Sequence, residues 1–181
     1  MSIETERKYE LSHREPDFVH KIVFLGDSEV GKTSLVERYV YDSFNPNTMH
    51  TIGAILHVKY VEIDEYLHKL VLWDLGGQES FSQLREQYCA QAAGAFFVFD
   101  TTRPETFRSM DGWLEALFTG SRDAIVIAIE NKIDLESRTS PDEIHSELAR
   151  RVIRYIRTSA IENKNVDLAF SELVREIMRN N

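Results

Sequence analysis

KIVFLGDSEVGKTSLVERYVY, residues 21–41, combines a short apolar run, a glycine-bearing loop and a segment with apolar residues at helical spacing. The loop, from Gly26 to Thr33, fits the pattern G-x-x-x-x-G-K-[ST]. Residues 21–25 have the length and composition of a buried strand, and residues 34–41 repeat apolar side chains every three or four positions. The stretch therefore predicts a strand, a loop and a helix in that order, which is the context that this pattern requires.

A loop of this kind is suited to binding phosphate. Its backbone N–H groups turn inward around the anion, and the start of the following helix adds its positive dipole end. Gly26 and Gly31 let the backbone bend and approach closely. Lys32 is predicted to reach the terminal phosphates, and the hydroxyl of Thr33 to bind the Mg²⁺ that bridges them. The other loop residues expected to contact the nucleotide are Ser28, Glu29, Val30 and Ser34.

Length, composition and charge bound the class of protein. The chain has 181 residues, of which 43% are hydrophobic, and this suits one globular domain with a sizeable core. A net charge of −9 argues against nucleic acid as the main partner, so phosphate binding must be local. The single cysteine, Cys89, cannot form an internal disulfide.

The two ends of the chain carry no targeting signal that we recognise. Residues 1–18 are polar and charged, so we expect a flexible leader there and the globular domain over residues 19–181, with no signal peptide or membrane span. Residue 2 is Ser2, and the last residues contain no cysteine to prenylate, so no lipid anchor is visible. We expect a cytoplasmic monomer, with membrane association left open by the missing cysteine.

Strand-like and helix-like segments alternate along the chain. The predicted strands are residues 21–25, 55–63, 69–74, 95–100, 125–130 and 155–158. Such alternation predicts an α/β domain with a mostly parallel sheet and helices on both faces. Because residues 55–63 and 69–74 are joined by a short acidic connection, they can instead pair as a hairpin at one edge, which makes one edge strand of a six-stranded sheet antiparallel.

Three helices are marked by apolar stripes that we expect to lie in the core. Ser140 is a predicted N-cap, with Pro141 in the first helical position and Glu143 three residues after the cap. The stripe of this helix is Ile144, Leu148 and Val152. The second stripe is Met110, Trp113, Leu114, Leu117 and Phe118, and the third is Val166, Ala169, Phe170, Leu173 and Ile177.

A second motif, WDLGGQE at residues 73–79, ends a strand and begins a loop. Asp74 is placed to hold Mg²⁺ through a water, Gly77 to bring its N–H onto the γ-phosphate, and Gln78 to orient an attacking water. Alone, Asp followed by Gly also suits an ordinary turn. After a phosphate loop and before Gln-Glu, it predicts a catalytic segment with Gln78 as its catalytic residue.

A third motif, NKID at residues 131–134, follows the apolar run 125–129 and so lies at the carboxyl end of a strand, where ligands bind in open α/β sheets. The carboxylate of Asp134 can accept from the ring N–H and exocyclic amine of guanine, a donor pair that adenine lacks. Lys132 is expected to lay its aliphatic stem against the base. Asn131 is expected to tie this loop to the phosphate loop. The phosphate loop and the NKID motif together predict binding of GTP and GDP.

These motifs resemble those of the Ras superfamily of small GTPases, and most closely its Rab branch, over residues 21–177. The resemblance implies the small G domain fold of the P-loop NTPases. It also implies that Thr51 binds Mg²⁺ and senses the γ-phosphate, that Phe44 stacks on guanine, and that the N–H of Ala160, in the run Thr158-Ser159-Ala160, contacts the guanine carbonyl. Taken alone, Thr51 suits a strand start and Phe44 suits the core.

The chain departs from that family at several positions. Glu29 replaces the usual glycine of the phosphate loop, which predicts faster nucleotide release unless the side chain points to solvent. Leu75-Gly76 resembles the Arf branch, and Gly53-Ala54-Ile55-Leu56 lacks the usual Rab residues. Ile161 replaces a common lysine, so contacts with the base there are left to backbone groups.

The function predicted from the sequence is a GTP-hydrolysing switch. By the resemblance, GTP and Mg²⁺ order residues 42–53 and 76–88, and loss of the γ-phosphate releases them. An exchange factor, an activating protein and effectors are the expected partners. Intrinsic hydrolysis should be slow, since no arginine is assigned to the transferred phosphate and Arg85 is expected to be a surface charge. The alternative is an adaptor that binds guanine nucleotide with little or no turnover.

Overall fold

The computed structural model describes residues 14–45, 51–77 and 82–180. Within these residues six strands form one sheet in the order β2-β3-β1-β4-β5-β6. The strands are β1 (Phe18–Leu25), β2 (Ala54–Ile63), β3 (Tyr66–Leu75), β4 (Gly94–Asp100), β5 (Ile125–Asn131) and β6 (Arg154–Arg157). The helices are α1 (Lys32–Tyr41), α2 (Ser82–Cys89), α3 (Pro104–Arg108), α4 (Met110–Gly120), α5 (Pro141–Arg151) and α6 (Val166–Asn180).

The sheet is mixed, as the hairpin interpretation predicted. β1 pairs in parallel with β3 and β4, and β4, β5 and β6 continue in parallel. β2 pairs antiparallel with β3. Both residues of the connecting turn, Asp64 and Glu65, have positive φ, 49° and 71°, which matches the twist of a tight hairpin. Arg175 of α6 holds this turn by donating to both carboxylate oxygens of Asp64, at 2.9 and 3.0 Å.

The two faces of the sheet carry separate apolar cores because alternate residues of each strand point to opposite sides. Ile22 and Phe24 of β1 pack with α1 and α6, whereas Val23 and Leu25 pack with α2, α4 and α5. Cys89, at the end of α2, lies fully buried in the second core. Helices therefore cover both faces, as predicted.

Two members of the predicted stripes are exposed. Val152 is 90% exposed because α5 ends at Arg151 and Val152 takes the left-handed C-cap conformation, with φ 58°. Phe118 is 38% exposed because it lies at the margin of the face whose centre is the buried Leu117. The predicted cap of α5 is confirmed, since the Ser140 hydroxyl accepts from the N–H of Glu143. The stripe of α6 is buried throughout.

The sheet extends further toward the N-terminus than predicted. β1 begins at Phe18, the last residue of the expected leader, and the preceding Asp17 exchanges hydrogen bonds with Leu67 of β3 at 2.7 and 2.8 Å. Residues 1–13 of the expected leader lie outside the described residues. No described helix has the length and apolar composition needed to cross a bilayer.

Candidate functional site

The loop between β1 and α1 requires glycine at both ends of its motif. Gly26 has φ 131°, and a Cβ there would lie 2.1 Å from the carbonyl oxygen of Val98. Gly31 has φ 98°, and a Cβ there would lie 2.3 Å from the side-chain nitrogen of Asn131. Larger residues would therefore displace the loop from β4 and from the end of β5.

Lys32 lies under this loop with its side chain buried. Its Nζ donates to the carbonyl oxygens of Gly26 and Asp27, at 2.7 and 2.8 Å. Burial lowers the pKa of Lys32 to about 8, although the carboxylates of Asp74 and Asp27 oppose the shift. A phosphate in the loop would supply a charged acceptor for this ammonium group.

Two hydroxyls and one carboxylate converge beside Lys32. Thr33 Oγ1 donates to Asp74 Oδ2 at 2.5 Å and lies 2.8 Å from Thr51 Oγ1, which is 3.2 Å from the same carboxylate oxygen. Burial raises the pKa of Asp74, against the hydrogen bond from Thr33 and the charge of Lys32. The other oxygen, Asp74 Oδ1, is buried and has no hydrogen-bond partner among the described residues.

This oxygen set fits Mg²⁺. That ion takes oxygen ligands and is commonly held by one or two protein groups together with substrate phosphates. The described residues contain no cluster of three or more His, Cys, Asp or Glu side chains that could hold a metal without other ligands. Thr33, Thr51 and Asp74 are therefore the residues that could hold a magnesium ion shared with a nucleotide.

The loop after β3 runs between two other segments at close contact. A Cβ on Gly76 would lie 2.4 Å from the carbonyl oxygen of Thr51, and one on Gly77 would lie 2.2 Å from the backbone nitrogen of Ser28. Gly77 is thus packed directly on the phosphate loop. The predicted catalytic residue, Gln78, lies outside the described residues.

The predicted link between the NKID loop and the phosphate loop is confirmed. Asn131, at the end of β5, donates from Nδ2 to the carbonyl oxygen of Val30 at 3.0 Å. Its Oδ1 accepts from the Thr158 hydroxyl at 3.1 Å, so Asn131 also holds the segment after β6. In that segment the Ser159 hydroxyl donates to Asp134 Oδ1 at 2.6 Å, which fixes the carboxylate.

Arg38 of α1 was not singled out from the sequence. Its Nε donates to the carbonyl oxygen of Ala160 at 2.9 Å, and its Nη2 lies 3.4 Å from that of Ile161. An arginine at the margin of an amphipathic helix is typical of a surface position, so periodicity gave no signal for this contact.

One cavity of about 620 Å³ joins these segments. Its lining comprises Ser28, Glu29, Gly31, Lys32, Thr33, Ser34, Phe44, Asn45, Thr51, Gly77, Asn131, Lys132, Asp134, Ala160 and Ile161. The other described residues predicted for the site, which are Gly26, Val30, Asp74 and Ser159, are not part of that lining. A cavity of this size accommodates a small-molecule ligand, and the lining reaches from the phosphate loop to the NKID loop.

Arg85 is not a simple surface charge. Its guanidinium lies 3.7 Å from the centre of the Trp113 ring, and it is close enough to Lys32 to lower the pKa of that lysine. Trp113 in turn donates from its indole N–H to Asp27 Oδ1 at 2.8 Å. Helix α2 is therefore connected to the phosphate loop through α4, a contact that sequence spacing does not reveal.

Glu29 has an exposed side chain at the mouth of the cavity. Its backbone is in the left-handed region, with φ 65°, which glycine adopts without cost and other residues adopt reluctantly. Glutamate in place of the usual glycine therefore strains the backbone and also places a negative charge at the surface.

The sheet order, the phosphate loop after β1 and the asparagine-linked loop after β5 define a P-loop nucleotide-binding domain. The Ras family model matches residues 21–179. The chain is 38% identical to "Ras-related protein RABA5c" of Arabidopsis thaliana over 170 residues, covering 92% of this chain and 79% of the relative. It is 37% identical to "Ras-related protein Rab-22A" of Mus musculus over 167 residues, covering 87% and 82%. The chain belongs to the Ras family and is a small GTPase that hydrolyses GTP.

Proposed function

We propose that the protein is a Mg²⁺-dependent switch whose GTP-bound form recruits protein effectors. The observation that carries this proposal is the single cavity in which the phosphate loop, the hydroxyl–carboxylate cluster and the NKID loop meet. The cavity has polar groups suited to phosphates at one end and a fixed carboxylate suited to a base at the other.

At the phosphate end, the loop amides and Lys32 hold the β- and γ-phosphates. Thr33, Thr51 and Asp74 would hold Mg²⁺, and the ion would supply positive charge that neutralises the phosphates. The closeness of Gly77 to Ser28 supports a role for its N–H at the γ-phosphate, because a bound phosphate in the loop is within reach of that backbone.

At the base end, Asp134 selects guanine. The hydrogen bond from Ser159 to Oδ1 fixes the plane of the carboxylate and leaves lone pairs on both oxygens to accept from the base. Adenine would cover this carboxylate without offering it a matching pair of donors, and a charge that the ligand desolvates without pairing is costly. Phe44 and the stem of Lys132 cover the two faces of the ring, and the N–H of Ala160 meets the guanine carbonyl.

Hydrolysis requires a water in line with the γ-phosphate, and we assign its orientation to Gln78. The water oxygen bonds to phosphorus while the bond to the β–γ bridging oxygen breaks, giving GDP and phosphate. An activating protein would supply a further positive charge and raise a slow intrinsic rate. Residues 42–53 and 76–88 are the segments that respond to the γ-phosphate and present themselves to effectors.

Vesicle trafficking or signalling in the cytoplasm is the role that the resemblance to the Rab branch implies, and the Rab names of two relatives support that branch. The second candidate function is an adaptor with little or no turnover. The strained backbone at Glu29 favours it, because a perturbed phosphate loop can bind nucleotide without aligning it for attack.

The test is single-turnover hydrolysis of Mg²⁺-GTP by the purified protein, with bound nucleotide extracted and identified. Gln78→Leu should lower the rate constant by roughly tenfold or more, since it removes the group that orients the water. Gln91→Leu, at an exposed position after α2 and outside residues 42–53 and 76–88, is the matched control and should hydrolyse GTP normally. Bound guanine nucleotide with no turnover, even with a cognate activating protein, would establish the adaptor, and absence of guanine nucleotide would refute both.

A further inference from the structure

A chain of polar contacts connects two residues of the cavity lining, Ser28 and Lys132, through Arg103 and Asp100, which are not part of that lining. Arg103, at the N-cap of α3, donates from Nη2 to the carbonyl oxygen of Ser28 at 2.9 Å. Its Nε donates to Asp100 Oδ2 at 3.2 Å. The guanidinium therefore connects the phosphate loop to the end of β4.

Asp100 is the centre of this connection. It is buried, and the same Oδ2 that accepts from Arg103 lies 2.7 Å from Lys132 Nζ. Its Oδ1 accepts from the backbone N–H and the hydroxyl of Thr102, at 2.8 and 2.7 Å. Burial disfavours the charged carboxylate, but hydrogen bonds from Lys132 and Thr102 outweigh burial and lower its pKa. Asp100 is thus a charged acceptor fixed in place from several sides.

The Ser28 carbonyl belongs to the peptide unit that leads into Glu29. The φ of Glu29 is 65°, in the left-handed region, which is strained for residues other than glycine. Without a restraint, this strain favours a change of the phosphate loop to another conformation. A hydrogen bond to that peptide unit from a guanidinium fixed on Asp100 opposes the change. Arginine suits this task because its planar group presents two N–H donors at a fixed separation, which lysine cannot do.

We propose that Arg103 is a positioning residue that holds the strained phosphate loop in its nucleotide-binding conformation and, through Asp100 and Lys132, couples the phosphate loop to the base-binding loop. A glycine at position 29 would keep the left-handed conformation without a partner. With Glu29 at this position, the contact of Arg103 with Ser28 supplies the restraint. The inference rests on the proposed binding of guanine nucleotide in the cavity, and adds to it a residue outside the cavity lining.

The test measures dissociation of fluorescently labelled GDP from the Mg²⁺-loaded protein in a double-mutant cycle. Arg103→Ala should raise the dissociation rate about tenfold in the natural chain, since the left-handed conformation loses its restraint. In the Glu29→Gly background, the same substitution should raise it less than threefold, because glycine keeps that conformation unaided. Glu29→Gly alone should slow GDP release.

Two further variants make the result specific. Arg103→Lys keeps the charge but not the paired donors, so it should dissociate GDP nearly as fast as Arg103→Ala. Arg108→Ala, which removes an exposed arginine paired with Glu143, is the matched control and should leave the rate unchanged.

The outcomes separate the possible failures. An Arg103→Ala rate within twofold of the natural rate overturns the inference, as does an equal increase in both backgrounds or full restoration by lysine. If the natural protein retains no guanine nucleotide, the proposed function fails, and the inference fails with it. Retention of GDP by the natural protein together with an unchanged Arg103→Ala rate refutes only the role of Arg103.

Discussion

At the scale of single residues, Gly31 is subject to two independent constraints. Its φ of 98° lies in the region that favours glycine, and the space beside its Cα is taken by Asn131, which is itself bonded to Val30. Either constraint alone would select glycine. Because of both constraints, Gly31 is a point of close packing between the phosphate loop and the base-binding NKID loop.

Gly31→Ala should therefore displace Asn131 and lower the affinity for GDP by tenfold or more, since a strained φ and a lost buried hydrogen bond together cost about 2 to 3 kcal/mol. The control is Gly112→Ala on α4, where an added Cβ meets nothing within 4 Å. That variant should bind GDP normally and gain about 0.5 to 1 kcal/mol of unfolding free energy. Calorimetric titration and urea unfolding measure the two effects, and unchanged GDP binding by Gly31→Ala would contradict the first.

At the scale of elements, β1 and β3 are joined at their N-terminal ends by a buried histidine pair. His20 Nε2 lies 2.9 Å from His68 Nδ1, and the two rings stack with Phe18. The hydrogen bond needs at least one unprotonated nitrogen between the rings, so it is lost when both are charged. Burial, followed by the charge of His68, lowers the pKa of His20 to about 4, and burial also lowers that of His68, against the nearby charges of Asp17 and Asp64.

This pair predicts acid sensitivity of the fold. An unfolded histidine takes up its proton near pH 6.5 whereas folded His20 does so near pH 4, so the unfolded state binds more protons between these values. The stabilising contribution is complete above pH 6.5 and is lost as the pH falls toward 4. The unfolding free energy should drop by about 2 to 3 kcal/mol over that range.

Urea unfolding at a series of pH values measures this loss. His20→Phe should flatten the pH dependence, because it removes the buried imidazole whose pKa differs between the folded and the unfolded state. His145→Gln, at an exposed position of α5, is the control and should leave the slope unchanged. A slope that is the same in His20→Phe and the natural protein would place the acid sensitivity elsewhere.

At the scale of the whole molecule, the cavity is built from segments far apart in the chain. The phosphate loop, the segment containing Thr51, the loop after β3 and the loops after β5 and β6 all contribute to its lining. A ligand that contacts all of them must stabilise the folded state as a unit, because unfolding any of these segments releases it.

GDP with Mg²⁺ at a thousand times its dissociation constant should therefore add about 4 kcal/mol to the unfolding free energy and raise the unfolding temperature by roughly 10 °C. ADP should leave that temperature unchanged, because Asp134 does not match adenine. Removing the metal with a chelator should reverse part of the increase. Differential scanning calorimetry of nucleotide-free protein supplies the comparison, and equal stabilisation by ADP would contradict guanine selectivity.

Most of the architecture could be predicted from the sequence because strand and helix periodicities are local. The six strands, the mostly parallel sheet with its antiparallel edge and the cap at Ser140 all depended on such patterns and are confirmed. The errors fell at the ends of helices and at the edges of their buried faces, where the geometry of one residue determines whether its side chain is buried. Val152 has an apolar side chain, but its left-handed backbone ends the helix and turns it to solvent.

The site was predictable where a motif is contiguous and not where contacts join distant segments. The approach of Asn131 to the phosphate loop followed from the motifs. The contacts of Arg38, Arg85 and Arg103 did not, since an arginine at a helix margin carries the same pattern whether it meets water, an aromatic ring or a carbonyl group. For Gly77 the sequence predicted only a contact with the γ-phosphate, and the close packing of Gly76 on Thr51 and of Gly77 on Ser28 requires the folded chain.

The burial of Cys89 has a practical consequence. It is the chain's single cysteine, and burial raises the pKa of its thiol to about 11, so neither access nor ionisation permits reaction with alkylating reagents in the folded protein. Alkylation of this thiol therefore records opening of the second core around α2. A surface cysteine introduced elsewhere could be labelled selectively with a spectroscopic probe, without first removing the natural one.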